Sequence, residues 1–463
     1  MVFETRIGVA VIGGGACGMA AALAANGAGA EVAIFERDGF PAGSTALSSG
    51  MVPACCTRAQ RARGVEDSVG LMAHDIQHKA RGQADPDLVQ ALCRESGATV
   101  DWLSDVHGME LGLVEGFLYP GHSRMRMHAP PSRSGAELIG ALTAASSNAG
   151  IDLLTRAQVV DLYATPEGAV HGLRIQRPDG SAEILGCETL VLACNGFGSN
   201  PDLVRRYLAD LADAPYFGHS GNRGDAILWG QALGAATRHL GAFQGHGSVA
   251  HPHGMLISWA LMMEGGIQIN IEGRRFSNEH EGYSEQGRRV LAQTSAVAWN
   301  LYDVRLHALG QDFPDYRSAM SAGAVHRATD PMALARVTGV PEAALTETLT
   351  EVTELAAGRG KDRFQRDFST KPPLQPPYYA VKVTGALFHT QGGLVVDREA
   401  RVLRQDGTPL PNLFAGGGAA CGVSGPSDWG YLSGNGLLTA LVLGRLAGTA
   451  AARQTERSPL SHG

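Results

Sequence analysis

The chain has 463 residues, 44% of them hydrophobic and 18% charged, with a net charge of −7. This is the composition of a soluble globular chain able to bury a large core in two or three domains. The negative charge, with no Lys/Arg block, excludes nucleic acid and anionic membrane surfaces as expected partners. Seven cysteines, odd in number and without C-x-x-C spacing, predict a reduced protein with no structural zinc. The first strand begins by Ile7, leaving no room for a signal peptide, and no apolar run reaches membrane-spanning length. The expectation is a cytoplasmic protein without a membrane span.

The first forty residues, "IGVAVIGGGACGMAAALAANGAGAEVAIFER", read as strand, glycine turn, helix, strand. Gly13, Gly15 and Gly18 occupy the three positions of G-x-G-x-x-G, with Ala16 and Cys17 between the last two. The first glycine permits the turn, the second lets backbone approach a pyrophosphate, and the third lets helix and strand pack closely. The second strand ends in Glu36, followed by Arg37, and Glu36 is where an acidic residue binds a ribose hydroxyl. This much fits either NAD or FAD. The next segment, "PAGSTALSSGMVPA", decides for FAD. Its Ser44, Thr45, Ser48, Ser49, Gly50 and Met51 form a flexible, small-polar loop suited to further pyrophosphate contacts and to the edge of a flavin ring.

Further on, Val159 is placed in the cofactor set, and "ETLVLACNGFGSNPDLVRRY" is a buried strand running into a glycine turn that contributes Ala193, Asn195 and Gly196. "NRGDAILWGQALGA" places Asp225 at a helix start. The Gly/His-rich "GAFQGHGSVAHPHG" and the proline-rich "STKPPLQPPYYAVKV" mark the borders of a middle domain. His246, His251 and His253 lack Cys or carboxylate partners at ligand spacing, so they read as a polar interdomain loop, and no metal is expected. "VPEAALTETLTEVTELAAGRG" is one amphipathic helix. Near the end, "SGPSDWGYLSGNG" runs into the apolar "LLTALVLGRLAG", a helix beginning near Gly436 and Leu437 whose first N–H groups are free. Residues 451–463 are expected to form a flexible tail.

Together these motifs resemble the FAD-binding domain of the fumarate reductase/succinate dehydrogenase flavoprotein superfamily, which also contains the 3-ketosteroid dehydrogenases. "LVLACNGFGSNPDLVRRY" is similar to its A-T-G-G-F segment, with Cys194 and Asn195 departing from the usual Thr and Gly. "GGIQINIEGRRFSNEHEGY" resembles the capping-domain strand and R-F-x-N-E motif, and "YYAVKVTGALFHTQGGLVVD" the return from that domain. "LPNLFAGGGAACG" resembles the L-Y-A-A-G-E strand, with Gly417 in place of the acid. The resemblance implies an α/β fold: a discontinuous Rossmann-type FAD-binding domain (1–240 and 381–450) with an inserted α+β capping domain (241–380). In members with covalent flavin a histidine sits in the serine-rich loop. Here there is none, so non-covalent FAD is expected.

Dicarboxylate enzymes of the group need arginines for two carboxylates. By resemblance those positions fall on Tyr283 and Tyr431, and a Thr-Glu pair falls on Ser258 and Trp259. "YLSG" looks like the Y-x-S-G segment of the Δ4-type 3-ketosteroid dehydrogenases. The resemblance implies that Tyr431 donates to a substrate ketone, Ser433 takes or relays the α-proton, Tyr283 extends the relay and flavin N5 accepts the β-hydride. The less favoured structural readings are a core tyrosine for Tyr283 and, for Tyr431 with Ser433, a turn bracing the helix start. His389 matches a histidine that binds substrate or lies near flavin, and equally suits a structural role. Asp428 and Trp429 receive no role, and Cys55 and Cys56 read as small buried residues. A small-molecule substrate and an external electron acceptor or donor (a quinone, O2 or a redox protein) are the expected partners. The expected activity is formation or reduction of a C=C bond conjugated to a ketone. One alternative is a dicarboxylate or enoate reductase drawing its cation from Arg274, Arg275 or Arg288. Another is a non-catalytic flavin-binding redox sensor or electron carrier.

Overall fold

The computed structural model describes residues 3–116 and 118–456. The chain divides into a first unit, Met1–Ala209, Gly218–Phe243 and His389–Gly463, and a second, Asp210–Phe217 and Gln244–Phe388.

The first unit is built on a parallel sheet in the order Pro409–Ala415, Ala182–Leu192, Arg6–Ile12, Val32–Phe35, Asp152–Leu154. Val9, Ala10 and Val11 are fully buried, because a central parallel strand is covered on both faces and reads as a continuous apolar run. Strands Gln158–Ala164 and Val170–Gln176 extend it as an antiparallel meander on Ala182–Leu192. The glycine-turn helix, Ala16–Gly27, lies against a C-terminal helix, Asn435–Glu456. The alanines of the first and the glycines of the second have one cause. A Cβ on Gly444 would stand 2.4 Å from the Cys17 carbonyl oxygen, and one on Gly448 1.9 Å from that of Ala21. The two backbones touch, and nothing larger fits.

Two sequence expectations change here. The C-terminal helix is long and apolar enough to cross a membrane by length and composition, with a mean hydropathy of 1.2. Its apolar character has another use: 61% of that stretch is buried within the protein, against the glycine-turn helix and the sheet. The tail expected from 451 is helical as far as Glu456, because Ala451 and Ala452 are buried. Residues 457–463 lie outside the described residues.

The second unit is organised on a sheet in the order Phe243–Ala250, Tyr378–Thr390, Val297–Asp303, Ile267–Ile269, with Val325–Ala328 also paired to Tyr378–Thr390. Its own apolar core includes Ile257, Leu301, Tyr302, Leu306 and Leu345. The amphipathic segment forms the helix Glu342–Ala356, which buries Leu345, Leu349, Val352 and Leu355.

Candidate functional site

The glycine turn is shaped as its spacing requires. Gly13 has φ +105°, and a Cβ there would lie 2.6 Å from the Ala193 carbonyl oxygen; one on Gly18 would lie 1.8 Å from that of Gly13. At Gly15 the situation reverses: a Cβ would meet only Thr45 Oγ1, at 3.5 Å. The space above Gly15 suits a pyrophosphate, and the helix that follows has no side-chain cap, leaving first-turn N–H groups for an anion. Ala16 N–H donates to Thr45 Oγ1 at 3.0 Å, tying the serine-rich loop to the helix start. Glu36 accepts from Gly14 N–H at 2.8 Å and from Asp38 N–H at 2.9 Å, so it braces the turn while standing at the expected ribose position.

The other positions expected to meet the cofactor are placed by their contacts. Ser44 Oγ accepts from Asn222 Nδ2 at 2.8 Å. Ser48 Oγ donates to the Thr45 carbonyl and accepts from Gly50 N–H, while Ser49 is exposed. Met51 sulfur accepts from the Tyr119 hydroxyl. The Cys17 side chain turns into the core towards Gly416, and burial pushes its thiol up to about 12, so only its backbone can serve a ligand. Val159 is buried in its strand opposite Ile175. Asn195, at φ +66°, folds its own Oδ1 onto Gly196 N–H, beside the nearly buried Ala193. Asp225 opens a helix, and burial raises its carboxyl against the opposing charges of Arg37 and Arg223. Gly417 has φ +57°, and Leu437 is half-buried. Cys55 is buried, but Cys56 is exposed, in the bend that follows the short strand Val52–Pro53.

Tyr431 and Ser433 lie in the turn before the C-terminal helix, 7% and 4% exposed. Burial raises the Tyr431 hydroxyl to about 12, opposed by the backbone N–H groups of Gly436 and Gly434. The phenol is therefore protonated at neutral pH, and it sits at the positive end of a helix. Ser433 is held through its carbonyl, which accepts from His122 Nε2 at 2.9 Å. Sequence reading missed His122. It is 5% exposed, burial lowers it to about 4, and its segment is anchored by Ser123, whose N–H and hydroxyl both donate to Asp75 at 2.8 Å. Asp75 and Asp67 in turn hold the buried Arg126 guanidinium. His389 is half-buried, and burial lowers it to about 4.

Tyr283 belongs to the second unit and begins the helix Tyr283–Leu291. Its ring stacks on His246 with centroids 4.9 Å apart, and Trp259 and Phe388 complete the imidazole's aromatic surroundings at 5.8 and 5.4 Å. His246 was expected in a polar loop. It lies instead in the strand Phe243–Ala250, 5% exposed, held neutral by burial, which lowers its pKa to about 3, and its Nδ1 accepts from Ser248 N–H. His251 and His253 do lie on an exposed turn. Of the R-F-x-N-E segment, Arg275 is buried between Glu279 and Asp362 at 2.8 and 2.7 Å, and Arg366 also meets Glu279 at 2.9 Å. Glu279 is pulled down to about 2 by these two arginines against the cost of burial. Arg274 pairs with Glu347 at the surface, and Arg288 stands 3.8 Å from Asp210.

Residues 8–437 match the family described as FAD binding domain. The chain is 30% identical over 448 residues to the probable fumarate reductase Ifc3 of Shewanella frigidimarina, covering 96% of this chain and 74% of that protein. The chain belongs to the FAD-dependent fumarate reductase/succinate dehydrogenase flavoprotein superfamily. This flavoprotein is similar to the open conformation of a flavocytochrome c3 fumarate reductase, with a TM-score of 0.82, 30% identity and coverage of 98% and 79%. It is also similar to the 3-ketosteroid-Δ4-(5α)-dehydrogenase of Rhodococcus jostii RHA1 solved with 4-androstene-3,17-dione, with a TM-score of 0.79, 25% identity and 98% coverage of both chains. The 4-oxocyclohexanecarboxylate 2-dehydrogenase of Sinomonas cyclohexanicum is 27% identical over 89% of this chain and 87% of its own. The flavoprotein is an FAD-dependent oxidoreductase of carbon–carbon single and double bonds, and the open space at Gly15 beside a helix without a side-chain cap fits that cofactor.

Proposed function

We propose that this flavoprotein introduces or reduces a C=C bond conjugated to a ketone, with 3-ketosteroids or other alicyclic ketones as the substrate class. The observation that carries this reading is the Tyr431 phenol, buried, protonated and set at the start of a helix. A C–H next to a carbonyl becomes acidic only as charge on the carbonyl oxygen is stabilised, and a neutral donor in a dry site does this well. Tyr431 would donate to that oxygen, and the N–H groups of Gly434 and Gly436, directed at the phenol oxygen, strengthen it as a donor. Ser433, fixed by His122, would relay the α-proton. Tyr283 carries the relay role in this proposal and is tested by Tyr283→Phe. FAD supplies the two-electron acceptor or donor at the β-carbon. The serine-rich loop holds no histidine, so we also propose that FAD is released intact on acid denaturation.

Identity to fumarate reductases favours a second reading, reduction of a dicarboxylate. Against it, Arg275 is committed to two buried carboxylates, Arg274 to Glu347, and Arg288 lies beside Asp210. A phenol cannot neutralise a carboxylate at the remaining positions. The test is anaerobic addition of saturated cyclic ketones and of succinate to the oxidised protein. Bleaching of the flavin band by a ketone and not by succinate is expected; bleaching by succinate alone would establish the second reading.

A further inference from the structure

A buried string of side chains joins the start of the C-terminal helix to His389. Asn435 Nδ2 donates to Ser424 Oγ at 3.3 Å, Ser424 Oγ donates to Gln391 Oε1 at 2.9 Å, and Gln391 Nε2 stands 2.6 Å from His389 Nδ1. Asn435, Ser424 and Gln391 are 0%, 1% and 3% exposed. The Gln391 backbone is fixed on both sides, its N–H donating to the Ala242 carbonyl at 2.8 Å and its carbonyl accepting from Gly422 N–H at 2.9 Å. At the far end, Asn435 Oδ1 is buried without a hydrogen-bond partner among the described residues.

Such a string has two self-consistent directions, because every amide can be turned over. In one, Gln391 donates to His389 Nδ1, and the imidazole proton resides on Nε2. In the other, all the bonds reverse, the proton moves to Nδ1, and Asn435 is left with an amide nitrogen facing no acceptor. The first direction is favoured twice. It leaves the Asn435 carbonyl oxygen as the unpartnered atom, where the reverse direction leaves the amide nitrogen there, and unpaired buried N–H groups are the rarer case. It also puts that oxygen, not the amide nitrogen, at the first residue of a helix, where the macrodipole favours negative charge. His389 is neutral, lowered by burial with no charged neighbour contributing, so the choice of nitrogen is a real one.

We propose that Gln391 is a positioning residue: through Ser424 and Asn435 it holds the His389 proton on Nε2, presenting an N–H donor. The value of the donor in turnover rests on the reading of His389 as a substrate contact; the proton's location does not.

The test uses full-length protein labelled with ¹⁵N-histidine, with and without FAD. The His389 signals are assigned by their loss in His389→Asn. Wild type should show the Nε2–H pattern. Gln391→Glu, whose carboxylate can only accept, should move the proton to Nδ1 and raise the imidazole's titration midpoint. Gln391→Leu should give a mixture, and Ser424→Ala, which cuts the string one bond further away, a partial change. An Nδ1–H pattern in wild type would overturn the proposal, as would an unchanged pattern in Gln391→Glu when circular dichroism shows native structure. Should Gln391→Glu fail to fold, the Ser424→Ala result decides by the same criterion. A moved proton with KM and kcat for the ketone both unchanged would sustain the positioning role and remove His389 from the substrate site.

Discussion

Tyr431 is held between two opposing influences, burial that keeps its proton on and helix N–H groups that draw density from its oxygen. Tyr431→Phe keeps the ring and loses only the hydroxyl, so FAD should stay bound while flavin reduction by substrate slows about 10²–10³-fold. Rapid-mixing absorbance checks this, and an unchanged rate would reduce Tyr431 to a brace for the turn. Glu36→Ala removes acceptors from Gly14 and Asp38 N–H and should weaken FAD affinity by about 1–3 kcal/mol, read from fluorescence titration of the apoprotein. The places of Tyr431, Ser433 and Glu36 in the fold were legible because each stands at a fixed offset from a glycine turn or helix start. His122 was not: it meets Ser433 across 311 positions of chain, and no local pattern announces such a contact. His246 was hidden differently, since a histidine among glycines and serines looks like a loop until a sheet buries it.

At the scale of elements, the contact between the glycine-turn helix and the C-terminal helix sets the cofactor cradle. Gly448→Ala would press a methyl group into the Ala21 carbonyl, and overpacking of this kind costs about 1–3 kcal/mol. Because the displaced helix carries the glycine turn proposed to hold the pyrophosphate, apparent FAD affinity should fall in the same variant, and urea denaturation with a parallel FAD titration checks both. A neutral result would mean that the helices separate without moving Gly13–Gly15. The strand–turn–helix–strand at the N-terminus and the helix Glu342–Ala356 were plain in the sequence because period and turn chemistry agree there. The role of the C-terminal helix was not, because a long, largely apolar helix reads alike in a core and in a membrane. Only Gly444 and Gly448, four apart, hinted at a backbone-to-backbone contact.

Across the whole molecule, several imidazoles are kept neutral by burial, His122 near 4 and His246 near 3. Their pKa values are lowered by burial below the unfolded value of about 6.5, so the unfolded chain binds more protons as the medium is acidified. Their contribution is fully present above about pH 6.5 and is lost as pH falls towards 4, roughly 3 kcal/mol for His122 alone at full effect. Chemical denaturation between pH 7.5 and 4.5 should show this loss, and His122→Gln should flatten part of the slope; stability unchanged over that range would refute the burial. The central claim, that the substrate is a ketone and not a dicarboxylate, is reached most directly by one measurement. The fully reduced protein is mixed anaerobically, in separate shots, with a cyclic enone and with fumarate, and reappearance of the oxidised flavin band is timed. Reoxidation by the best enone should be at least about tenfold faster than by fumarate. Fumarate reacting as fast as every enone would contradict the ketone assignment.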